Sequence, residues 1–175
     1  GLRIQDKEGT TRDNIHLRLI DGRWEIGTTG RGFDSFLPSA AVELGAGCKK
    51  SALLGHDYDC PRLAAGVTVN LLGGDDAFDT SGFAITDVLT LNMGAGNDNA
   101  TGSAGNDIIS GGSGNDFLYG QSGNDFLGGN FGNDKLYGEA GDDHLQGGDG
   151  NDFVYGGIGN DRLFGQSGND QLFGD

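Results

Sequence analysis

Proline is nearly missing from this chain, with 2 residues in 175 against 36 glycines, and the glycines follow no Gly-X-Y period. That combination excludes a collagen-like helix and points to a fold built from tight turns. No apolar run is long enough to span a membrane as a helix. No signal peptide opens the chain at Gly1, so it reads as a processed or trimmed mature form. Bases are scarce in one part only. Residues 67–175 carry seventeen Asp and Glu against Lys135 and Arg162, whereas residues 1–66 carry nine acids and nine bases. The whole net charge of −15 therefore sits in the C-terminal block. Such a surface is a poor match for nucleic acid or an anionic membrane. It either stays disordered by self-repulsion or recruits cations.

What the block does contain is a repeat. Gly-Asn-Asp starts at Gly96, Gly105, Gly114, Gly123, Gly132, Gly150, Gly159 and Gly168, and Gly141-Asp142-Asp143 fills the remaining slot of a strict nine-residue spacing. Two residues after each Asp stands an apolar residue, running Ala100, Ile109, Leu118, Leu127, Leu136, Leu145, Val154, Leu163 and Leu172. A period this short and this regular is the mark of a solenoid. The unit reads as a six-residue turn followed by a three-residue strand. Alternation of side chains along the strand turns only the apolar residue inward. Two units make one coil, so residues eighteen apart stack on neighbouring strands.

The unit resembles the repeats-in-toxin (RTX) nonapeptide GGxGxDxUx, as in Gly111-Gly112-Ser113-Gly114-Asn115-Asp116-Phe117-Leu118-Tyr119. The resemblance implies an all-β fold, a right-handed parallel β-roll with calcium between its turns. It assigns Asp98, Asp107, Asp116, Asp125, Asp134, Asp143, Asp152, Asp161 and Asp170 as metal ligands, with the carbonyls of Gly96, Gly105, Gly114, Gly123, Gly132, Gly141 and Gly150. In the family's scheme each ion lies between one loop and the loop one coil later. Gly112, Gly114 and Asp116 would face Gly129, Phe131 and Asp134 in this way. Pairing along both edges gives four sites and three, about seven ions in the regular repeats.

The aspartates themselves argue for a cation. Stacking at eighteen puts Asp98, Asp116, Asp134, Asp152 and Asp170 on one edge and Asp107, Asp125, Asp143 and Asp161 on the other. Two carboxylates about 4.8 Å apart repel by roughly 3–4 kcal/mol at an effective dielectric near 20. A hard divalent ion that takes carboxylate and carbonyl oxygens removes that repulsion. One inward side chain per nine ordered residues also makes a thin core, so binding confined to the folded state has to contribute to stability.

Upstream the pattern loosens. Val67-Thr68-Val69-Asn70-Leu71 and Leu89-Thr90-Leu91-Asn92-Met93 align at a shift of twenty-two, followed by Gly74-Asp75-Asp76 and Gly96-Asn97-Asp98. Residues 67–95 thus read as irregular first coils and residues 96–175 as the regular roll. Asp76 is a further candidate ligand, offset by the four extra residues of its coil. Residues 1–66 read as a β cap. Alternation from Ile15 to Ile26 around Asp21-Gly22 signals a hairpin, and Trp24, Phe33 and Phe36 are available to cover the first coil. The segment from Gly47-Cys48 through Cys60-Pro61 to Val69 is similar to the lead-in of secreted calcium-binding repeat proteins from actinobacteria. That similarity implies a Cys48–Cys60 disulfide and an extracellular or cell-surface location.

Other chemistries fit poorly. His16, His56 and His144 are scattered and form no H-E-x-x-H, and Gly120-Gln121-Ser122-Gly123 is a repeat turn rather than a nucleophile elbow. The chain reads as a non-enzyme, with His144 on an outward strand position as a solvated residue. A rank of Thr before each Gly-Asn-Asp, as ice binding requires, is absent: that column runs Ala95, Ala104, Ser113, Ser122, Phe131, Ala140, Asp149, Ile158 and Ser167. Asn99-Ala100-Thr101 matches a glycosylation sequon but lies inside a repeat. Tyr119, Tyr137, Tyr155 and Phe173 recur at eighteen, flanked by Phe117 and Phe153, and form an outward aromatic ladder. Its plainer role is cross-strand stabilisation. The sharper one is a docking face for a glycan, a partner domain or a second copy. The last repeat reaches Asp175 with no recognisable cap, which suggests truncation or end-to-end association.

Overall fold

The computed structural model describes residues 67–71, 73–80 and 88–175 with their side chains, and the backbone alone of six strands within residues 2–61. Those six are β1 (Leu2–Asp6), β2 (Asn14–Ile20), β3 (Arg23–Thr28), β4 (Ala40–Glu43), β5 (Lys49–Lys50) and β6 (Tyr58–Pro61). The side chains of Trp24, Phe33 and Phe36 and the expected Cys48–Cys60 bridge lie outside the described residues.

The repeat folds as a parallel β-solenoid of about six turns, each turn giving one strand to each of two sheets. One sheet takes β7 (Val67–Asn70), β9 (Leu89–Ala95), β11 (Ile108–Ser113), β13 (Phe126–Phe131), β15 (His144–Asp149) and β17 (Arg162–Ser167). The other takes β8 (Ala77–Asp79), β10 (Asn99–Thr101), β12 (Phe117–Ser122), β14 (Lys135–Ala140), β16 (Phe153–Ile158) and β18 (Gln171–Phe173). At the N-terminal end β1 pairs with β7 and β2 with β8, both parallel. β2 and β3 pair antiparallel, with Ile20 opposite Arg23. Among the described residues there is no helix long and apolar enough to cross a membrane.

Register follows the repeat. Ile109, Leu127, Leu145 and Leu163 stand level across one sheet. Ala100, Leu118, Leu136, Val154 and Leu172 do so across the other. From Ala100 to Val154 every one of these is fully buried, and with Val67, Val69, Leu71, Phe78, Leu89, Leu91 and Met93 they make a core one side chain deep. The first coil obeys the shift of twenty-two, with Val67 level with Leu89 and Asn70 with Asn92. Its four extra residues fall between β8 and β9.

The strands are longer and the turns tighter than the spacing suggests. From β11 to β17 each strand has six residues, not three, because motif positions two and three also pair, as in Gln121 with Glu139 and Ser122 with Ala140. The turn proper is Gly-Asn-Asp alone. Its glycine is obligatory: at Gly132 φ is +129°, and a Cβ would overlap the Gly114 carbonyl oxygen one coil earlier.

Because each leucine is the only inward side chain of its unit, truncating one leaves a cavity that no neighbour can fill. Leu127→Ala is expected to cost about 2–5 kcal/mol, read from chemical denaturation in saturating calcium. An effect below about 1 kcal/mol would contradict the single-file core.

Candidate metal centre

Each Gly-Asn-Asp turn ties its coil to both neighbours. The Asp carboxylate reaches back one coil: Asp116 Oδ1 accepts the Asp98 N–H at 2.9 Å, Asp134 Oδ1 that of Asp116 at 2.8 Å, and Asp152 Oδ1 that of Asp134 at 2.8 Å. Asp125, Asp143 and Asp161 repeat this on the opposite edge at 2.8–2.9 Å. Asp170 does the same for Asp152. The Asn before it works the other way. Asn97, Asn115, Asn133 and Asn151 each offer Oδ1 to the N–H of the Asn one coil later, at 2.8–2.9 Å. Asp142 takes the Asn place on its edge, accepting the Asn160 N–H and side-chain amide. Those two bonds, with Arg162 nearby, hold its carboxyl below the usual range.

The aspartates are thus stacked on two edges as the period of eighteen implies, and Asp76 joins the first edge by giving its N–H to Asp98 Oδ1 at 2.7 Å. Asp98 through Asp152 are all buried. One oxygen is left over. In Asp98, Asp116, Asp125, Asp134, Asp143, Asp152 and Asp161, Oδ2 is buried with no hydrogen-bond donor. It points into the bend of its own turn, against the position-one glycine. A Cβ on Gly129 would overlap Asp134 Oδ2 and lie 2.5 Å from the Gly147 carbonyl oxygen. A Cβ on Gly138 would meet Asp143 Oδ2 and, at 2.6 Å, the Gly156 carbonyl. Carboxylate and carbonyl oxygens from consecutive coils therefore converge on one space.

Metal-free, this arrangement disfavours ionisation. Burial, joined by the charges of Asp134 and Asp98, pushes Asp116 up to about 7 against the opposing pull of the Asp98 N–H. Burial and the carboxylates of Asp107 and Asp143 likewise raise Asp125 to about 7. Asp134 rises to about 6 through burial and Asp152. Burial is also the main cause of the upward shifts of Asp98, Asp107, Asp143 and Asp152.

The donors fit calcium. Among the described residues no three His, Cys, Asp or Glu side chains converge. A cation between coils would meet the carboxylates of stacked aspartates and the turn carbonyls beside them. An oxygen-only, weakly directional set is what a hard cation of calcium's size accepts, and is foreign to zinc.

Two features of the outer faces escaped the sequence reading or differ from it. His144 is not simply solvated. It lies half-buried between Phe126 (5.0 Å, 10°) and Phe164 (5.1 Å, 34°), with its Nε2 2.8 Å from Gln146 Nε2. Phe126 and His144 share motif position seven and stand level, whereas Phe164 stands at position nine, so only the contact from His144 to Phe164 runs diagonally. On the other sheet Tyr119, Tyr137, Tyr155 and Phe173 are level. Tyr119 stacks on Tyr137 at 4.9 Å, after which the ring contacts pass through Phe153 to Phe173. Phe117 at the flank is covered by the Lys135 ammonium, 4.7 Å from its ring centre.

Stacked turns lined with oxygen, burying Asp Oδ2 atoms that no donor among the described residues satisfies, define a metal-binding parallel β-solenoid. Residues 94–127, 128–163 and 147–175 match the RTX calcium-binding nonapeptide repeat (4 copies). Residues 94–175 belong to that family and form a calcium-binding β-roll. No curated protein and no solved structure matches the chain. The lead-in around Cys48 and Cys60 lies outside the matched residues.

The raised carboxyls fix the pH response without calcium. An ordinary Asp titrates at 3.8 and folded Asp116 at about 7, so between those values the folded chain holds more protons than the unfolded one. Their contribution to stability is complete below 3.8 and lost as pH rises toward 7. Circular dichroism in chelator is expected to show more β structure at pH 5 than at pH 8. The reverse order would contradict the burial of these groups.

Proposed function

We propose that this chain is an exported, non-catalytic protein whose roll folds when it binds extracellular calcium between stacked Gly-Asn-Asp turns. The observation that carries this reading is the buried Asp Oδ2 without a donor, repeated turn after turn. The ligands are Asp98, Asp116, Asp134, Asp152 and Asp170 on one edge and Asp107, Asp125, Asp143 and Asp161 on the other, with Asp76 extending the first. The turn carbonyls of Gly96, Gly105, Gly114, Gly123, Gly132, Gly141 and Gly150 complete the donor set. Pairing along the edges provides seven slots in the regular repeats, four and three. A bound calcium ion supplies the positive charge and the oxygen ligation that these turns lack. Where calcium is scarce the ionised columns repel and the chain opens, a state suited to export. Outside the cell, sites of roughly 10⁻⁴–10⁻³ M suffice to close it.

A second role is supported by the outer face of the β10–β18 sheet. Tyr155 and Phe173 remain 37% and 44% exposed at the end of the aromatic ladder. We assign this face to docking a glycan, a partner domain or a second copy once calcium has ordered it.

Circular dichroism during a calcium titration of chelator-stripped protein tests the main reading. The expected result is a cooperative coil-to-β transition with calcium and not with magnesium. The double variant Asp116→Ala, Asp134→Ala should shift it to at least tenfold higher calcium. A β spectrum already complete in chelator at neutral pH would sink it.

A further inference from the structure

One aspartate in the two columns is different. From Asp98 to Asp161 seven of eight carboxylates keep a buried Oδ2 with no donor, and Asp107 is the exception. Its Oδ1 accepts the Leu89 N–H at 2.8 Å and the Ser103 hydroxyl at 3.1 Å, and its Oδ2 accepts the Ser103 N–H at 2.5 Å. The turn before it is built differently too. At motif position two the chain is left-handed in Gly94, Gly112, Gln121, Asn130, Glu139, Gly148, Gly157 and Gln166, but not in Ser103, which is buried. With that backbone turned inward, β10 ends at Thr101, three residues shorter than β12, and beyond Gly102 only a long bond from the Ser122 N–H to the Ser103 carbonyl, at 3.5 Å, ties it to β12. The Gly105 N–H bonds to Ser103 Oγ at 3.0 Å, where its counterparts Gly123 and Gly141 bond to the carbonyl one coil later.

The neighbouring carbonyl is also engaged. Gly102 O accepts the Gln121 side-chain amide at 2.6 Å and the hydroxyl of Thr80, which stands level with Gly102 one coil earlier. Gln121 Nε2 also reaches Thr80 Oγ1 at 3.4 Å. One coil earlier the place of the aspartate falls to Leu89, next to Thr90, which is level with Ile108; every later turn on this edge has an aspartate there.

The geometry points to a metal-free end of this column: Ser103, with Thr80 and Gln121, supplies to Asp107 and Gly102 the donors that a cation supplies elsewhere, so Asp107 is a structural residue and calcium begins at the Asp125–Asp143 slot. This rests on the calcium reading above and revises one of its seven slots. It follows from saturation: a carboxylate whose two oxygens already accept three hydrogen bonds gains little by exchanging them for an ion. The end of the roll nearest residues 1–66 is thereby held by neutral donors at any calcium concentration, giving the columns a fixed point from which to order.

The test is diffraction from crystals of the calcium-loaded full chain, collected at a wavelength where calcium scatters anomalously. Peaks are expected between the Asp125 and Asp143 turns and between the Asp143 and Asp161 turns, with none between Asp107 and Asp125. A peak bound by Asp107 overturns the inference and leaves the calcium reading intact. No peak at any slot sinks the calcium reading and this inference with it. In solution, native mass spectrometry of Ser103→Gly, which removes the hydroxyl from Asp107 and restores the glycine found at Gly94 and Gly112, should show one ion more than the parent, whereas Asp143→Asn should lose at least one. An unchanged count in Ser103→Gly would contradict the assignment.

Discussion

From Asp116 to Asp161 every turn buries a carboxylate with one oxygen satisfied and the other not. Oδ1 holds the N–H of the preceding coil, and Oδ2 lies without a donor in the bend of its own turn, against the position-one glycine. The first oxygen makes the Asp indispensable to the stacking of coils. The second makes that same stacking costly unless positive charge enters. A buried carboxylate without a partner either takes up a proton or finds a cation. Near neutral pH and in the presence of calcium the cation is the available answer.

Much of the rest follows from that constraint. Position one has to be glycine from Gly102 to Gly165 because a Cβ would occupy the space into which Oδ2 points. The core can be one leucine deep because the turns, not the interior, set the spacing of the coils. The Asn of each turn and the Asp after it pull in opposite directions along the stack, so each coil is held from both sides. Stability built from such nearest-neighbour links is close to one-dimensional. Ordering is then expected to spread from an end already held in place, and the Asp107 turn is one.

The spacing of nine made the main architecture readable in advance, because in a solenoid sequence period and spatial neighbour are the same thing. The level pairing of Tyr119 with Tyr137 and of Leu118 with Leu136 needed only the number eighteen. Backbone handedness is not written in a period. Gln121, Asn130, Glu139 and Gln166 are left-handed at a position where only the glycines advertise it, and this extends the strands to six residues. Diagonal contacts were also invisible, as in the ring contact of His144 with Phe164. Ser103 shows the limit most clearly. In the sequence it is one conservative departure from glycine within a run of nine matching units, yet its inward turn satisfies a carboxylate that every other repeat leaves open.

The claim on which the account stands is that the interlocking of aspartates exists only with calcium bound. Hydrogen exchange read by mass spectrometry at pH 7.5 addresses it directly, because the N–H groups of Asp116, Asp125, Asp134 and Asp143 are the ones these carboxylates hold. With calcium the account expects strong protection across the stretch that carries these amides. In chelator it expects that protection to collapse by several orders of magnitude throughout the stretch. Equal protection in both conditions would show that hydrogen bonds and the leucine column hold the roll alone.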